Sequence, residues 1–175
     1  MTSTTFSGIR LLCLTLLTGL AASCVSPSTS PVRLNEVLPS NSNNCPDEVG
    51  ERNDWVELYN TSDDSIDLGG YSLTDDTASP RKSVIASGVT IEARSALLFW
   101  ADGTSDQGTT HLTFKLKSKA EEVVLYDTES RQVDLFRWTD AYSDISFARV
   151  PDGTGEWVRC AKPTCGDVNS TACGS

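Results

Sequence analysis

The stretch NDWVELYN at residues 53–60 decides the fold of this chain. Its side chains alternate with a period of two, which is typical of a β-strand and not of a helix. In such a strand Trp55, Glu57 and Tyr59 lie on one face, and the aliphatic residues between them lie on the other face. We expect the aliphatic face to pack in a core, which leaves a carboxylate between two aromatic rings on the opposite face.

Glu57 is the residue of this strand whose role has to be explained. If its face is covered, the carboxylate needs a cationic or a backbone partner, because an unpaired buried charge is costly. We predict a structural ion pair of Glu57 with Arg149, with Arg33 and Arg137 as alternatives, and no catalytic role. Glu36 is interpreted in the same way. Replacing Glu57 with alanine is expected to lower the melting temperature.

Composition and turn spacing extend this interpretation to the rest of the chain. The 175 residues include 38% hydrophobic residues, enough for a core, and 12 glycines. About nine short segments with strand character follow one another, with turn signals roughly every 8–12 residues, which predicts an all-β sandwich or barrel. The formal net charge is −10. An acidic domain repels phosphate backbones, so we expect no direct binding to nucleic acid.

Residues 1–23 have the character of an export signal. They contain a single charged residue, which precedes the apolar run LLCLTLLTGLAA at residues 11–22. This run is too short to span a bilayer as a helix. The ending LAASC resembles the lipobox of bacterial lipoproteins, in which Cys24 becomes the first mature residue and carries the lipid. The alternative is an ordinary secretory signal that is cleaved near Ala22 or Ser23.

The segment after the signal has the composition of a flexible tether. Its sequence VSPSTSP is small, polar and rich in proline. The chain is therefore predicted to consist of a lipoprotein-type signal peptide at 1–23, a tether at 24–31, a β-sandwich at 32–169 and a C-terminal tail at 170–175. A lipidated Cys24 predicts anchoring to the membrane of the bacterial cell envelope, at the outer membrane or the cell surface. The alternative signal predicts secretion.

Cysteine usage agrees with export to an oxidising compartment. Four of the six cysteines lie beyond the predicted signal and lipidation site, and an even number favours disulfides. Cys160 and Cys165 enclose the short loop AKPT, so we favour that pair together with a bond between Cys45 and Cys173; the other two pairings stay open. Zinc is disfavoured, because the spacing lacks CxxC pairs and the single histidine, His111, is far away in the sequence.

An ordered series of short motifs resembles one known family. LNEVLPSN opens the domain, and it is followed by DWVELYN, IDLGGYSLTDD, FKLKSKAEEVVLYD, DISFARVPDG and a terminal PTCGDVN. From Pro31 to Asn169 this order resembles the lamin tail domain, which occurs at the end of nuclear lamins and in many exported bacterial proteins. The resemblance implies an immunoglobulin-like β-sandwich and a binding or scaffolding role without catalysis.

Catalytic chemistry has little support in the sequence. A Ser–His–Asp site would depend on His111, and no GxSxG elbow accompanies it. The cysteines of the mature chain are expected to be paired, so they do not offer a nucleophile. We therefore predict no enzymatic activity and no cofactor.

Two alternatives on the same fold stay open. Hard cations take several oxygen ligands, so a calcium site would draw on loop carboxylates; these occur at Asp63, Asp64, Asp75, Asp76, Asp102 and Asp106. A glycan site would draw on exposed aromatic rings, for which Trp100 and Trp138 are the first candidates. The sequence favours a module that binds an unidentified protein, with a calcium- or glycan-binding surface as the alternative.

Overall fold

A computed structural model describes residues 27–169 and residue 173 of the chain. The predicted signal peptide, the lipidation site Cys24, the first residues of the tether and most of the C-terminal tail lie outside the described residues. Within the described part, no helix is long and apolar enough to cross a membrane.

The described residues form eleven β-strands and no helix. In chain order the strands are β1 Val32–Leu38, β2 Trp55–Asn60, β3 Ile66–Asp67, β4 Ser72–Thr74, β5 Ser83–Val84, β6 Thr90–Ile91, β7 Ala96–Trp100, β8 Lys119–Tyr126, β9 Gln132–Asp140, β10 Ser146–Val150 and β11 Glu156–Cys160. Five strands form one sheet in the order β11–β10–β1–β2–β7, and four form a second sheet in the order β5–β4–β8–β9. The two remaining strands, β3 and β6, pair with each other.

The two larger sheets stack across one apolar core. Val56 and Leu58 of β2 belong to the same buried cluster as Leu73 of β4 and Leu125 of β8. All four side chains are fully buried. Every pairing within the two sheets is antiparallel. The predicted all-β, immunoglobulin-like sandwich is therefore confirmed, with the aliphatic face of β2 turned to the core.

The strand count differs from the prediction for a simple reason. Eleven strands are present where the sequence indicated about nine, and three of the eleven, β3, β5 and β6, contain two residues each. A strand of two residues cannot display a periodic pattern, so it is not visible in the sequence.

The outer face of the five-stranded sheet is covered by the end of the chain. The register between β1 and β2 shifts between Leu34 and Glu36, which places Asn35 as an extra residue in the ladder. The chain that follows β11, residues 161–169, crosses the outer face at this point, where Gly166 bonds to Glu57. Glu57 is consequently fully buried although it points away from the core.

Candidate functional site

Glu57 has polar partners from two distant parts of the chain, and none of them is a cation. Its Oε1 accepts a hydrogen bond from Asn35 Nδ2 at 2.8 Å. Its Oε2 accepts one from the backbone N–H of Gly166 at 2.7 Å. Of the two kinds of partner that the sequence left open for a covered carboxylate, the structure supplies the backbone kind, together with a side-chain amide.

Glu36 has the same role as Glu57 and lies directly opposite it on the neighbouring strand β1. It accepts hydrogen bonds from the Ser146 hydroxyl and from both the N–H and the hydroxyl of Thr164. Asn169 extends the set, because its side-chain amide donates to the Asn35 carbonyl at 3.1 Å. Together these bonds tie residues 164–169 to β1 and β2, and we call them the tail network.

Burial raises the pKa of both carboxyls in the tail network. For Glu57 burial is the largest effect; the hydrogen bond from Asn35 opposes it, the neighbouring charge of Glu36 adds to it, and the pKa rises to about 8. Burial likewise raises the pKa of Glu36. Both side chains are fully buried, so a substrate does not reach them. Their raised pKa values follow from this burial.

The predicted ion pair between Glu57 and Arg149 is wrong, and the cause is the alternation of the strands. Arg149 points between the two sheets, where its Nη2 lies 3.1 Å from Asp134 Oδ1 and its guanidinium lies 4.7 Å from the centroid of the Trp157 ring. Glu57 points to the opposite, outer face of the same sheet. The two side chains therefore lie on different sides of the backbone layer.

The four cysteines that the structure describes are all in disulfides, but the favoured pairing is wrong. Cys45 bonds Cys165, and Cys160 bonds Cys173. The reason is that the two bonds lie in separate apolar clusters. Cys45 and Cys165 pack together beside Trp55, whereas the other pair packs around Ala148 of β10. The short spacing between Cys160 and Cys165 was misleading, because the chain turns away from β11 at once. Two disulfides fit an oxidising environment.

One group of potential metal ligands occurs among the described residues, and it does not provide a metal site. It comprises Glu36, Cys160 and Cys173. Both sulfurs are bonded to each other, so neither is a thiolate, which is the form that binds metal. Glu36 is engaged in the tail network.

Four of the six loop carboxylates considered for calcium have local partners instead: Asp63, Asp75, Asp76 and Asp102. Asp63 pairs with Arg94 at 2.9 Å, and Asp75 pairs with Lys82. Asp76 accepts the N–H of the residue two positions ahead, which is a turn-capping contact. Within residues 27–169, these carboxylates do not converge as a set of three ligand atoms. The calcium alternative thus has no preformed site there.

His111 is buried and engaged at both ring nitrogens. Its Nδ1 lies 2.5 Å from Asp102 Oδ2, and its Nε2 lies 2.9 Å from Glu48 Oε1. Burial alone lowers the pKa of His111, but the hydrogen bonds to the two carboxylates outweigh it and leave the pKa above its usual value of 6.5. A protonated ring donates to both carboxylates and joins two loops. With both nitrogens occupied, the ring is not available to activate a nucleophile.

We expect His111→Gln to remove part of the pH dependence of stability. Because the pKa of His111 is raised in the folded state, its contribution is complete below about pH 6.5 and is lost as the pH rises through the folded value. His111 should account for roughly 1–2 kcal/mol of the unfolding free energy that wild type loses across this range, so the variant should lose less. Urea unfolding at pH 6 and pH 8.5 measures this difference. Parallel losses in both proteins would contradict it.

The open side of the sandwich contains a cleft of about 800 Å³ between β9 and β11. We call it the β9–β11 cleft. Its floor is aromatic and consists of Phe136, Trp138, Phe147 and Trp157. The rings stack on one another; the centroids of Phe136 and Trp157 are 3.9 Å apart. Its rim carries charged side chains, among them Arg159, whose guanidinium lies 4.9 Å from the centroid of the Phe147 ring.

The two tryptophans that the sequence suggested for a glycan site, Trp100 and Trp138, lie in different surroundings. Trp100 packs against Trp55 and Leu38 and lies away from the cleft. Trp138 lines the cleft, but it is only 6% exposed, and its Nε1 already donates to the Lys117 carbonyl at 2.9 Å. Neither ring offers the open face that a stacked sugar requires.

The cleft itself was missed by the sequence reasoning. The alternation of Phe136 and Trp138 in LFRW was a signal that two aromatic rings share one face of a strand. The signal was incomplete, because the matching rings come from β10 and β11. The alternation within β9 does not predict that β10 and β11 lie opposite it.

Comparison with known proteins agrees with this architecture. The sequence model of the lamin tail domain matches residues 25–140. The chain belongs to the lamin tail domain family. No curated protein matches the chain.

The lamin tail domain match ends at the last residue of β9. The matched region therefore supplies one wall of the β9–β11 cleft, together with Phe136 and Trp138. The other wall, with Phe147 and Trp157, comes from the part of the chain beyond the match.

Proposed function

We propose that this lamin tail domain is a non-enzymatic binding module that holds a protein partner in the β9–β11 cleft. The observation that carries the proposal is the cleft itself, an open cavity with an aromatic floor on the surface of the sandwich. Protein-binding sites are enriched in aromatic side chains and arginine, and this cleft combines them.

The non-enzymatic part of the proposal is supported by the contacts of the residues that could have carried out catalysis. His111 uses both ring nitrogens to bond carboxylates. Glu36 and Glu57 are fully buried beneath the C-terminal segment. The described cysteines are consumed in disulfides. Each group that the sequence offered for chemistry is thus engaged in holding the fold.

The second part of the proposal is that Cys24 carries a lipid and displays the module on the cell envelope. Support comes from the direction in which the tether enters. Ser30 contacts the Tyr71 hydroxyl at 3.1 Å, and the N–H of Leu34 bonds to Asp134 near the start of β9. The tether thus arrives where β1 and β9 begin, whereas Asp140 and Trp138 of the cleft lie where β9 ends. An anchored domain would turn the cleft away from the membrane.

Site-specific photo-crosslinking in the producing cells tests this function. A benzoylphenylalanine at Thr139, which is exposed at the cleft, is expected to give a discrete protein adduct. The same probe at Thr128, an exposed threonine in the turn at the other end of β9, is the matched control and should give none. Equal adducts at both positions, or none at Thr139, would reject the cleft as the binding site.

The same cells test the anchor. Cys24→Ser is expected to move the protein from the membrane fraction to the soluble fraction. Retention of the variant in the membrane fraction would show that the lipid is not the anchor, whatever the crosslinking result.

A further inference from the structure

We infer that the partner enters the β9–β11 cleft as an extended, positively charged peptide segment, which pairs with the free edge of β9 and places a basic side chain against Asp140. This inference rests on the proposed function, because it specifies the chemistry of the ligand at the same site.

Two strand edges border the cleft without a neighbouring strand. Among the described residues, β9 pairs with β8 alone and β11 pairs with β10 alone. The Asp140 carbonyl accepts a hydrogen bond from Arg159 Nη2 at 3.0 Å, so the last acceptor of β9 is occupied and a peptide would pair with the part of the edge that precedes it. An extended peptide supplies a row of N–H and C=O groups, and it satisfies such an edge by adding a strand.

The floor of the cleft has the spacing that a strand would match. Phe136 and Trp138 are two residues apart on β9 and both point to the floor. Side chains of an added strand alternate with the same period. Every second residue of the ligand would therefore meet the rings, which favours apolar residues at those positions.

The charges on the rim decide what the ligand carries opposite Asp140, which lies on the same face of β9 as Phe136 and Trp138 because the three residues are spaced two apart. The ionisable side chains that line the cleft are four carboxylates and two guanidiniums: Asp75, Glu121, Glu122, Asp140, Arg137 and Arg159. Glu122 is neutralised by Arg137 at 2.7 Å, and Glu121 is neutralised by Lys117.

Asp140 differs from the other three carboxylates of the rim. Asp75 pairs with Lys82, but Asp140 makes no ion pair with any residue in the described ranges and is exposed. Arg159 likewise makes no ion pair within the described ranges, but its guanidinium lies over the Tyr142 and Phe147 rings. Asp140 is therefore the carboxylate left for a basic ligand side chain. The net charge of −10 also attracts a cationic partner from a distance.

A glycan is the less favoured occupant of the cleft. The Phe136 face is covered by Trp157, and Arg159 covers Phe147. The rings thus form a floor for apolar side chains and do not present a free platform for a sugar.

Titration calorimetry with defined peptides tests the inference on the folded, oxidised domain. The probe is an acetylated, amidated pentapeptide, Lys-Thr-Val-Thr-Val, which in an antiparallel pairing places its lysine and both valines on the one face that meets Asp140, Trp138 and Phe136. One comparison peptide has glutamate in place of lysine, and another has N-methyl groups on alternate backbone nitrogens. We expect the lysine peptide to bind, the glutamate peptide to bind at least about tenfold more weakly, and the methylated peptide to lose a similar factor because its donors are blocked.

Two matched variants locate the charge contact. Asp140→Asn should weaken the lysine peptide by about fivefold. Asp64→Asn removes the same charge from an exposed loop outside the cleft, and it should leave the affinity within about twofold, since distant charges are screened by salt. Equal effects of the two variants, or full affinity of the methylated peptide, would overturn the inference.

The outcomes separate this inference from the proposed function. If Thr139 crosslinks a protein but the lysine peptide does not bind, the ligand chemistry is wrong and the binding module stands. If the peptide binds and Thr139 yields no adduct, the cleft has the inferred chemistry but is not occupied in cells. Binding of glycans in place of peptides would overturn the inference directly.

Discussion

Protein in which Cys45 and Cys165 are both replaced by serine is expected to unfold roughly 10–15 °C below wild type. This disulfide joins residues 120 positions apart. In the chain-entropy account, a cross-link stabilises by restricting the unfolded chain, and a loop of about 100 residues corresponds to about 4–5 kcal/mol. The bond also fixes Cys165, the residue before Gly166, to Cys45, so its loss releases a donor of the tail network.

The second disulfide provides the control for loop length. Cys160 and Cys173 are only 13 residues apart, for which the same account gives about 3 kcal/mol. Calorimetric melting of both double serine variants, without reductant, compares the two bonds. If the variant lacking Cys45 and Cys165 melts within about 2 °C of wild type, the long-range bond does not stabilise the domain. Equal losses in the two variants would show that loop length does not govern the effect.

The sequence predicted the fold through the strands that carry a long alternation. β2 is the clearest case, because its aliphatic residues mark the core face and its aromatic residues mark the outer face. The two-residue strands were not predicted, because they form by pairing with a neighbouring strand and have no local pattern of their own. Local periodicity is thus sufficient for the sandwich and insufficient for the details of its edges.

The candidate site was less predictable, because it depends on contacts between distant segments. Gly166 approaches Glu57 from 109 positions along the chain, and Trp157 meets Phe136 across the two sheets. The wrong partner for Glu57 follows from this. Arg149 was a reasonable cationic partner for Glu57, but the sequence does not reveal that β10 directs this side chain to the inner face of the sheet. The wrong disulfides have the same origin.

Glu57→Gln is expected to flatten the dependence of stability on pH. The usual pKa of the carboxyl is 4.5, and burial raises the pKa of Glu57 to about 8 in the folded state. The folded protein therefore binds one more proton than the unfolded chain between these two values. Its unfolding free energy should fall as the pH rises through this window, by at most about 5 kcal/mol. Glutamine keeps the size of the side chain and cannot ionise, so the variant should lose much less.

Chemical denaturation of both proteins at several pH values between about 5 and 8.5 gives the comparison. The stability of the variant relative to wild type should increase steadily with pH. Glu92→Gln changes an exposed glutamate and should leave the wild-type profile unchanged. Glu57→Ala removes the acceptor for Asn35 and Gly166 and leaves a donor of the buried Asn35 amide unpaired, so it should be destabilised even at pH 5.

The sign of the Glu57 effect distinguishes the two accounts of the residue. A salt bridge to an arginine would lower the pKa of Glu57, and the contribution of Glu57 to stability would then rise with pH only below about pH 4.5 and stay level above it. A buried carboxyl held by an amide and a backbone N–H has the opposite slope. His111 also makes the unfolding free energy fall with pH, but only above about pH 6.5. Between pH 5 and pH 6.5 the change in unfolding free energy therefore comes from the buried carboxyls. If wild type and Glu57→Gln show the same dependence of stability on pH over that interval, Glu57 is ionised in the folded state and the tail network does not exclude charge.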